Sequence, residues 1–171
     1  MTDSEMNQTG DPASGIGAPA DLGTRILARL IDSVILWFAI FVILVPLFIA
    51  LSVLGSVSGV FGGGFSFGSL IFGIIIAALV VGYFALMESQ RGQTVGKMLL
   101  GLQTQGPGGG NPSMEEAVKR NAWNALNIIP ILGGLLQLAA AIYIMVTINQ
   151  SPTNTGWHDE FAGGTKVIKI K

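Results

Sequence analysis

Long uncharged apolar runs, separated by shorter polar stretches, dominate the chain. No Asp, Glu, Lys or Arg occurs from Ser33 to Met87 or from Asn121 to Trp157. The run at 34–55 has 22 mostly aliphatic residues. A helix of that length spans about 33 Å, close to the roughly 30 Å of bilayer hydrocarbon. The pattern therefore predicts membrane-spanning helices at about 34–55 and 69–87.

The third apolar segment is harder to interpret, because polar residues, glycines and a proline interrupt it. Its continuous apolar core, Ile128 to Ile148, is long enough for one crossing. We favour a single third span at about 131–149, which gives an all-α, small polytopic transmembrane helical bundle. Two alternatives remain open. The segment is either a hairpin broken near Pro130, or a shallow helix over about 114–129 followed by the one span.

The polar stretches predict the remaining organisation. Residues 1–23 are acidic and rich in Asn, Ser, Gly and Pro, which predicts a disordered tail rather than a signal peptide. Residues 24–171 then form the membrane domain. The Gly-rich stretch 56–68 connects the first two spans, and residues 88–120 form a polar loop after the second.

Two local signals predict structure within the polar stretches. Ser113 and Glu116 form a capping box, in which the Ser side chain accepts an amide and the Glu side chain reaches back. A helix should begin there and carry Lys119 and Arg120 in its second turn. The alternating residues 165–171 indicate either an extended strand or an unstructured basic end.

Composition places the chain among membrane proteins. Half of the residues are hydrophobic and 11% are charged, against about 25% in soluble domains, and the mean hydropathy is +0.63. A net charge of −1 without a basic stripe argues against nucleic acid as a partner. The chain has no cysteine and one histidine, so we expect no enzyme activity, no cofactor and no metal site.

Basic residues near the spans predict the orientation, because Lys and Arg accumulate on the cytoplasmic side. One side of the first two spans carries Arg25, Arg29, Arg91, Lys97, Lys119 and Arg120. We therefore expect the N terminus and the 88–120 loop in the cytoplasm. A single third crossing would leave the C-terminal lysines outside, against this rule, whereas a hairpin would return them to the cytoplasm.

Three motifs resemble the RDD family of bacterial membrane proteins, named for one Arg and two Asp. Residues 25–32 are similar to the family's Arg-x-x-Ala-x-x-Ile-Asp pattern before its first span. Residues 92–102 match Gly-Gln-Thr-x-Gly-Lys-x-Leu-Leu-Gly-Leu, and residues 158–165 resemble the terminal His-Asp-x-x-Ala-Gly-Thr. Trp157 in place of a Leu and the additional Gly164 depart from the pattern.

This resemblance covers roughly residues 20–171 and implies Arg25, Asp32 and Asp159 as the eponymous residues. It implies a bacterial inner-membrane protein, with transport as the expected activity and sodium/proton antiport in some members. The stretches 92–104 and 156–167 also resemble each other weakly. A true repeat would place both on one face of the membrane, which favours the hairpin.

The charges at the first span suggest two roles. Arg29 and Asp32 are i,i+3 neighbours and can pair directly. A carboxylate at that depth costs roughly 2.5–3.5 kcal/mol on insertion scales, so Asp32 is either held by a nearby cation or binds a cation or proton. Lys97 and Asp159 could cross-pair with Asp32 and Arg25, which makes these four residues a candidate ion or charge network.

His158 lies beside two acids, Asp159 and Glu160. Neighbours in sequence do not converge on one metal ion, so this trio does not predict a metal site. Its imidazole could still titrate near neutral pH.

These observations favour a membrane transporter or an ion/proton antiporter component, with Asp32 as the best candidate cation site. Three spans are too few to enclose a pathway comfortably, so transport implies a homo-oligomer or other membrane proteins as partners within the lipid bilayer. The alternative is a non-catalytic accessory or scaffold subunit of a larger membrane complex.

Overall fold

A computed structural model describes residues 16–53, 67–129 and 131–171. In chain order the elements are α1 (Leu22–Val53), α2 (Phe67–Arg91), α3 (Val95–Leu99), β1 (Leu102–Gln105), α4 (Met114–Asn121), a 3₁₀ helix (Ala122–Ile128), α5 (Gly133–Gln150), α6 (Trp157–Phe161) and β2 (Lys166–Lys169). Helices α1, α2 and α5 are long and apolar enough to cross a membrane. The predicted all-α bundle is confirmed with three candidate membrane-spanning helices, and a two-stranded sheet is added. Residues 1–15 of the predicted tail and most of the predicted 56–68 connection lie outside the described residues.

Helix α1 begins at Leu22, about a dozen residues before the predicted span. The carboxylate of Asp21 accepts the backbone N–H of Thr24 at 2.9 Å and so satisfies a free donor of the first turn. The charged stretch 25–32 therefore lies inside the first turns of α1. Beyond it the helix surface is apolar and exposed, with Trp37 at 71% and Phe38 at 69% exposure, as a lipid-facing helix requires.

The predicted disordered tail is wrong for residues 16–23, which pack against β2. Gly17 donates its N–H to the Lys169 carbonyl at 2.7 Å, and Ala20 donates to the Val167 carbonyl at 2.9 Å. Ala20 is fully buried. Backbone pairing with β2 thus orders a stretch whose polar composition alone predicted disorder.

The capping box predicted at Ser113 is present and starts α4. Ser113 accepts the Glu116 amide at 3.2 Å, and the Glu116 carboxylate accepts the Ser113 amide at 2.8 Å. Helix α4 and the 3₁₀ helix then run along α2. Asn121 contacts Glu88 near one end of α2, and Ile128 lies beside Gly73 farther along it, where a Cβ added to the glycine would be 3.7 Å from the Ile128 Cα. That distance along α2 is about 22 Å.

Helix α5 runs back beside the 3₁₀ helix after a turn at 131–132. A Cβ at Gly133 would lie 2.7 Å from the Leu126 carbonyl oxygen, so only glycine permits this close approach. At its other end, α5 meets α6, where Trp157 donates its N–H to the Thr147 hydroxyl at 3.0 Å. Segment 114–150 is therefore a helical hairpin that holds the third membrane-length helix as its returning arm.

The C-terminal strand fixes the end of the bundle to which the chain returns. Strand β2 pairs antiparallel with β1, with Leu102 opposite Lys169 and Gln105 opposite Lys166. The strand alternative for the tail is thereby confirmed. The expectation that a single third crossing separates the C-terminal lysines from the N terminus is wrong, because Pro19 also bridges to Ile168 in β2.

The weak repeat noted in the sequence corresponds to a repeated structure. Helix α2 is followed by short helix α3 and strand β1, and helix α5 is followed by short helix α6 and strand β2. The two strands pair with each other. Both copies consequently lie at one end of the bundle, which we call the charged end because it also holds residues 25–32.

Candidate functional site

Asp32 lies at the centre of the charged end, on α1, and is 1% exposed. Its carboxylate accepts three hydrogen bonds, from the Thr94 hydroxyl at 2.5 Å, the Gly96 amide at 2.8 Å and the Tyr83 hydroxyl at 2.9 Å. All three donors are uncharged. Within the described parts of the chain, no cationic group lies within 4 Å of this carboxylate.

A second set of charged residues forms a continuous chain of ion pairs, the ion-pair network. It consists of the buried residues Glu88, Arg120, Asp159 and Arg25 and the partly buried Lys97. Lys97 pairs with one Glu88 oxygen, and Arg120 Nε lies 3.4 Å from the other. Arg120 also pairs with Asp159, and Arg25 Nη2 donates to Asp159 at 2.7 Å. Since both carboxylates are at most 1% exposed, each needs these partners to stay ionised.

Hydroxyl and amide groups complete the ion-pair network. The Thr104 hydroxyl contacts both Lys97 Nζ, at 2.6 Å, and Glu88, at 3.4 Å. Asn121 donates to Glu88 at 3.0 Å, and Thr165 donates to Asp159 at 3.2 Å. The two carboxylates are thus held from α1, α3, β1, α4 and the stretch before β2, which clamps the helix ends together.

Arg29 stands apart from the ion-pair network. Its guanidinium donates to Asn121 at 3.2 Å and to Asn124 at 2.7 Å, and lies 3.5 Å from the Phe84 ring centroid and 5.0 Å from that of Trp123. Among the described residues no carboxylate forms an ion pair with it. The direct Arg29–Asp32 pair considered from the sequence is therefore not formed.

Burial and charge shift the pKa values of the groups that lie outside the long helices. Burial lowers the pKa of Lys97 to about 8, although Glu88 opposes the shift. Burial raises the pKa of the Asp159 carboxyl, but Arg120, His158 and Arg25 outweigh it and hold that pKa well below its usual range. Burial lowers the pKa of His158 to about 3. His158 is therefore neutral near pH 7, in contrast to the expected titration near neutrality.

A cavity of about 180 Å³ lies between α1, α2 and α5 at the charged end. Its wall carries four cationic side chains and two carboxylates, namely Arg25, Arg29, Lys97, Arg120, Asp32 and Glu88. Apolar side chains of α1 and α5, together with Phe84 and Trp123, form most of the remaining lining, which Asn121 and His158 complete. Residues 16–53, 67–129 and 131–171 contain no group of three His, Cys, Asp or Glu side chains that could hold a metal ion.

The structure brings part of the predicted network together. Arg25 meets Asp159 across 134 positions of sequence, as the cross-pairing hypothesis proposed. Lys97 instead pairs with Glu88, and Asp32 binds neutral donors. His158 lies beside Asp159, with 3.6 Å between Nε2 and the carboxylate, while its Nδ1 is buried without a hydrogen-bond partner in the described part of the chain.

Sequence reasoning missed Glu88, Arg120 and Asn121 as members of the site. Glu88 is the acid that ends a long apolar run, and Arg120 is the last charged residue before the next uncharged segment. Both positions adjoin membrane-length segments, where ionisable side chains need a partner. That position was the available signal, but it does not identify which partners meet.

Membrane-length helices closed at one end by a buried ion-pair network define this chain as a polytopic helical membrane protein. A family model described as the RDD family matches residues 19–163. The chain therefore belongs to the RDD family, and the resemblance carried by the three motifs is confirmed. It is 29% identical over 150 residues to "Uncharacterized membrane protein YteJ" of Bacillus subtilis (strain 168). The aligned region covers 88% of this chain and 81% of that protein. No solved structure matches the chain.

Proposed function

We propose that this RDD protein is a transport component of a bacterial cell membrane and moves a proton or a small monovalent cation through the cavity at its charged end. The observation that carries the proposal is the state of Asp32. It is a buried carboxylate on the cavity wall, inside a membrane-length helix, and none of the cationic groups among the described residues forms an ion pair with it. Such a group is costly to bury, and an intramembrane carboxylate without a paired cation points to an ion or proton path.

The two neighbouring carboxylates are poorer candidates for this role. Glu88 and Asp159 are each held by two cationic side chains, so an incoming cation would have to displace an ion pair. At Asp32 it would displace only hydroxyl and amide donors from Thr94, Gly96 or Tyr83. Asp32 is therefore the carboxylate at which cation binding costs least. The proposed role is transport and not catalysis, because Glu88, the other carboxylate on the cavity wall, is held in two ion pairs.

The proposal includes an oligomer and an orientation. Three membrane-length helices leave most of their apolar surface exposed, so a second copy or another membrane protein would complete a pathway. The basic residues at the charged end favour the cytoplasmic side for that end and for the N terminus. No nucleic acid is part of the proposed role.

The first experiment measures dissipation of a sodium or pH gradient in proteoliposomes by the full chain. We expect wild-type protein to dissipate at least one of the two gradients, and Asp32→Asn to lower that rate by about tenfold or more. Glu160→Gln is the matched control, because Glu160 is also an acid but is exposed on α6. A wild-type rate equal to that of empty liposomes, or an Asp32→Asn rate equal to wild type, would end the proposal.

A scaffold role is the second candidate, and the ion-pair network favours it. Five charged residues, four of them buried and Lys97 partly buried, hold the helix ends in one arrangement, as a rigid docking unit in a larger complex would require. Purification in a mild detergent distinguishes the two functions. A partner protein recovered at a constant stoichiometry, together with no flux in proteoliposomes, would support the scaffold.

A further inference from the structure

We propose that the cavity at the charged end binds the head group of an anionic phospholipid, with Arg29 as the cation that contacts the phosphate. The balance of charges on the cavity wall supports this assignment. Its wall holds four cationic side chains against two carboxylates, and because Arg25 and Arg120 also pair with Asp159, the excess of positive charge is one. Within the part of the chain that the structure describes, Arg29 is the cavity cation whose hydrogen bonds go to neutral amides rather than to a carboxylate.

The guanidinium of Arg29 is held ready for a planar, bidentate partner. Two of its nitrogens each donate one hydrogen bond, to Asn121 and Asn124, which leaves further N–H groups of its five available. The ring of Phe84 at 3.5 Å fixes the plane of the group. The side chain is only partly buried. Arginine in such a setting matches the geometry of a phosphate.

The apolar part of the cavity lining supplies the place for acyl chains. Leu22, Ile26 and Leu30 of α1 lie at i, i+4 and i+8, so they share one helix face. Ile144 and Met145 of α5 line the cavity opposite them. A ligand with an anionic end and an apolar end fits both parts at once, whereas a soluble anion would leave the apolar part unused.

The test uses Trp123, which lies beside Arg29, as a fluorescent reporter. In the full chain, Trp37→Phe and Trp157→Phe leave Trp123 as the single tryptophan. This protein is placed in phosphatidylcholine nanodiscs that contain increasing amounts of dibrominated phosphatidylglycerol or dibrominated phosphatidylcholine. We expect half-maximal quenching at a roughly fivefold lower mole fraction of the anionic lipid, since a cation near anionic lipid contributes about that factor.

Arg29→Gln should remove this preference, and the matched control Arg91→Gln, which removes an equal charge from an exposed position on α2, should keep it. Ala141→Phe narrows the cavity from α5 without touching an ion pair and should also weaken the preference. Four results would overturn the proposal. The first two are equal quenching by the two lipids and an equal loss of the anionic-lipid preference in the two arginine variants. The third is an unchanged anionic-lipid preference in Ala141→Phe. The fourth is displacement of the lipid by millimolar inorganic phosphate, which would identify a soluble anion as the ligand.

This binding does not depend on ion transport. A protein that moves no ions would still show the preference for brominated phosphatidylglycerol. Conversely, equal quenching of Trp123 by the two lipids would overturn the lipid-binding proposal even if the protein dissipated an ion gradient.

Discussion

At the scale of single residues, Arg120 holds the charged end together. Its guanidinium contacts Glu88 from one side and Asp159 from the other, and it is 4% exposed. Removal of Arg120 would leave each carboxylate with a single cationic partner in a low-dielectric setting, Lys97 for Glu88 and Arg25 for Asp159. Because Arg120 pairs with two carboxylates, its loss removes one ion pair from each of them.

Arg120→Leu should therefore lower the free energy of unfolding in detergent by about 3 kcal/mol, the lower end of the cost of breaking a buried ion pair, because each carboxylate keeps one cation. Denaturant titration followed by far-ultraviolet circular dichroism measures this change. The control is Lys119→Leu, at the preceding position on α4. The ion pair of Lys119 with Glu115 is exposed and should contribute little to the free energy of unfolding. Equal effects of the two substitutions would show that the ion-pair network does not stabilise the fold.

At the scale of elements, the contact of α3 with α1 depends on Gly96. Its amide donates to Asp32, and a Cβ at this position would overlap the carbonyl oxygen of Ala28 and lie 3.0 Å from the Asp32 carboxylate. The absence of a side chain thus allows the short helix α3 to sit directly on α1. The same contact places Lys97, the next residue, beside Glu88.

Gly96→Ala should separate α3 from α1 and destabilise the protein by about 1–3 kcal/mol, the usual cost of an added methyl group in a packed site. The melting temperature in detergent, followed by loss of monodisperse protein on heating, measures the effect. Gly82→Ala is the control, because a Cβ at Gly82 on α2 meets no atom within 4 Å. If both variants melt with wild type, the close packing of α3 on α1 is not required.

At the scale of the whole molecule, the sheet brings both described ends of the chain together. Residues 17–20 bond to β2, and β2 pairs with β1 directly after α2 and α3. The hairpin formed by α4, the 3₁₀ helix and α5 makes this possible, because it leads the chain away from the charged end and back. The turn of that hairpin, at Ile131, is 93% exposed.

Cysteine labelling in spheroplasts tests this path, and the natural chain has no cysteine to interfere. Lys166→Cys on β2 and Gly108→Cys between β1 and α4 should react with an impermeant maleimide from the same side of the membrane. Under the proposed orientation, both react only after permeabilisation. Labelling of the two positions from opposite sides would contradict the hairpin, whereas labelling of both without permeabilisation would reverse the orientation alone.

Sequence by itself determined the features that depend on local composition and spacing. Uncharged runs of membrane length predicted α1, α2 and α5, the capping box at Ser113 predicted α4, and three motifs indicated the RDD family before the family match confirmed it. It also suggested that Arg25 meets Asp159. These predictions succeeded because hydrocarbon thickness, helix capping and motif spacing act over short stretches of chain.

Only the tertiary structure decided which charges meet and where the chain ends. Lys97 pairs with Glu88 rather than Asp32, and Arg120 joins Glu88 to Asp159, because the α4–α5 hairpin and the β1–β2 sheet bring distant segments to one end of the bundle. Charges that are equally placed along the sequence have many possible partners. Long-range backbone pairing and the close approach at glycines select among them, so this choice could not be made from local pattern.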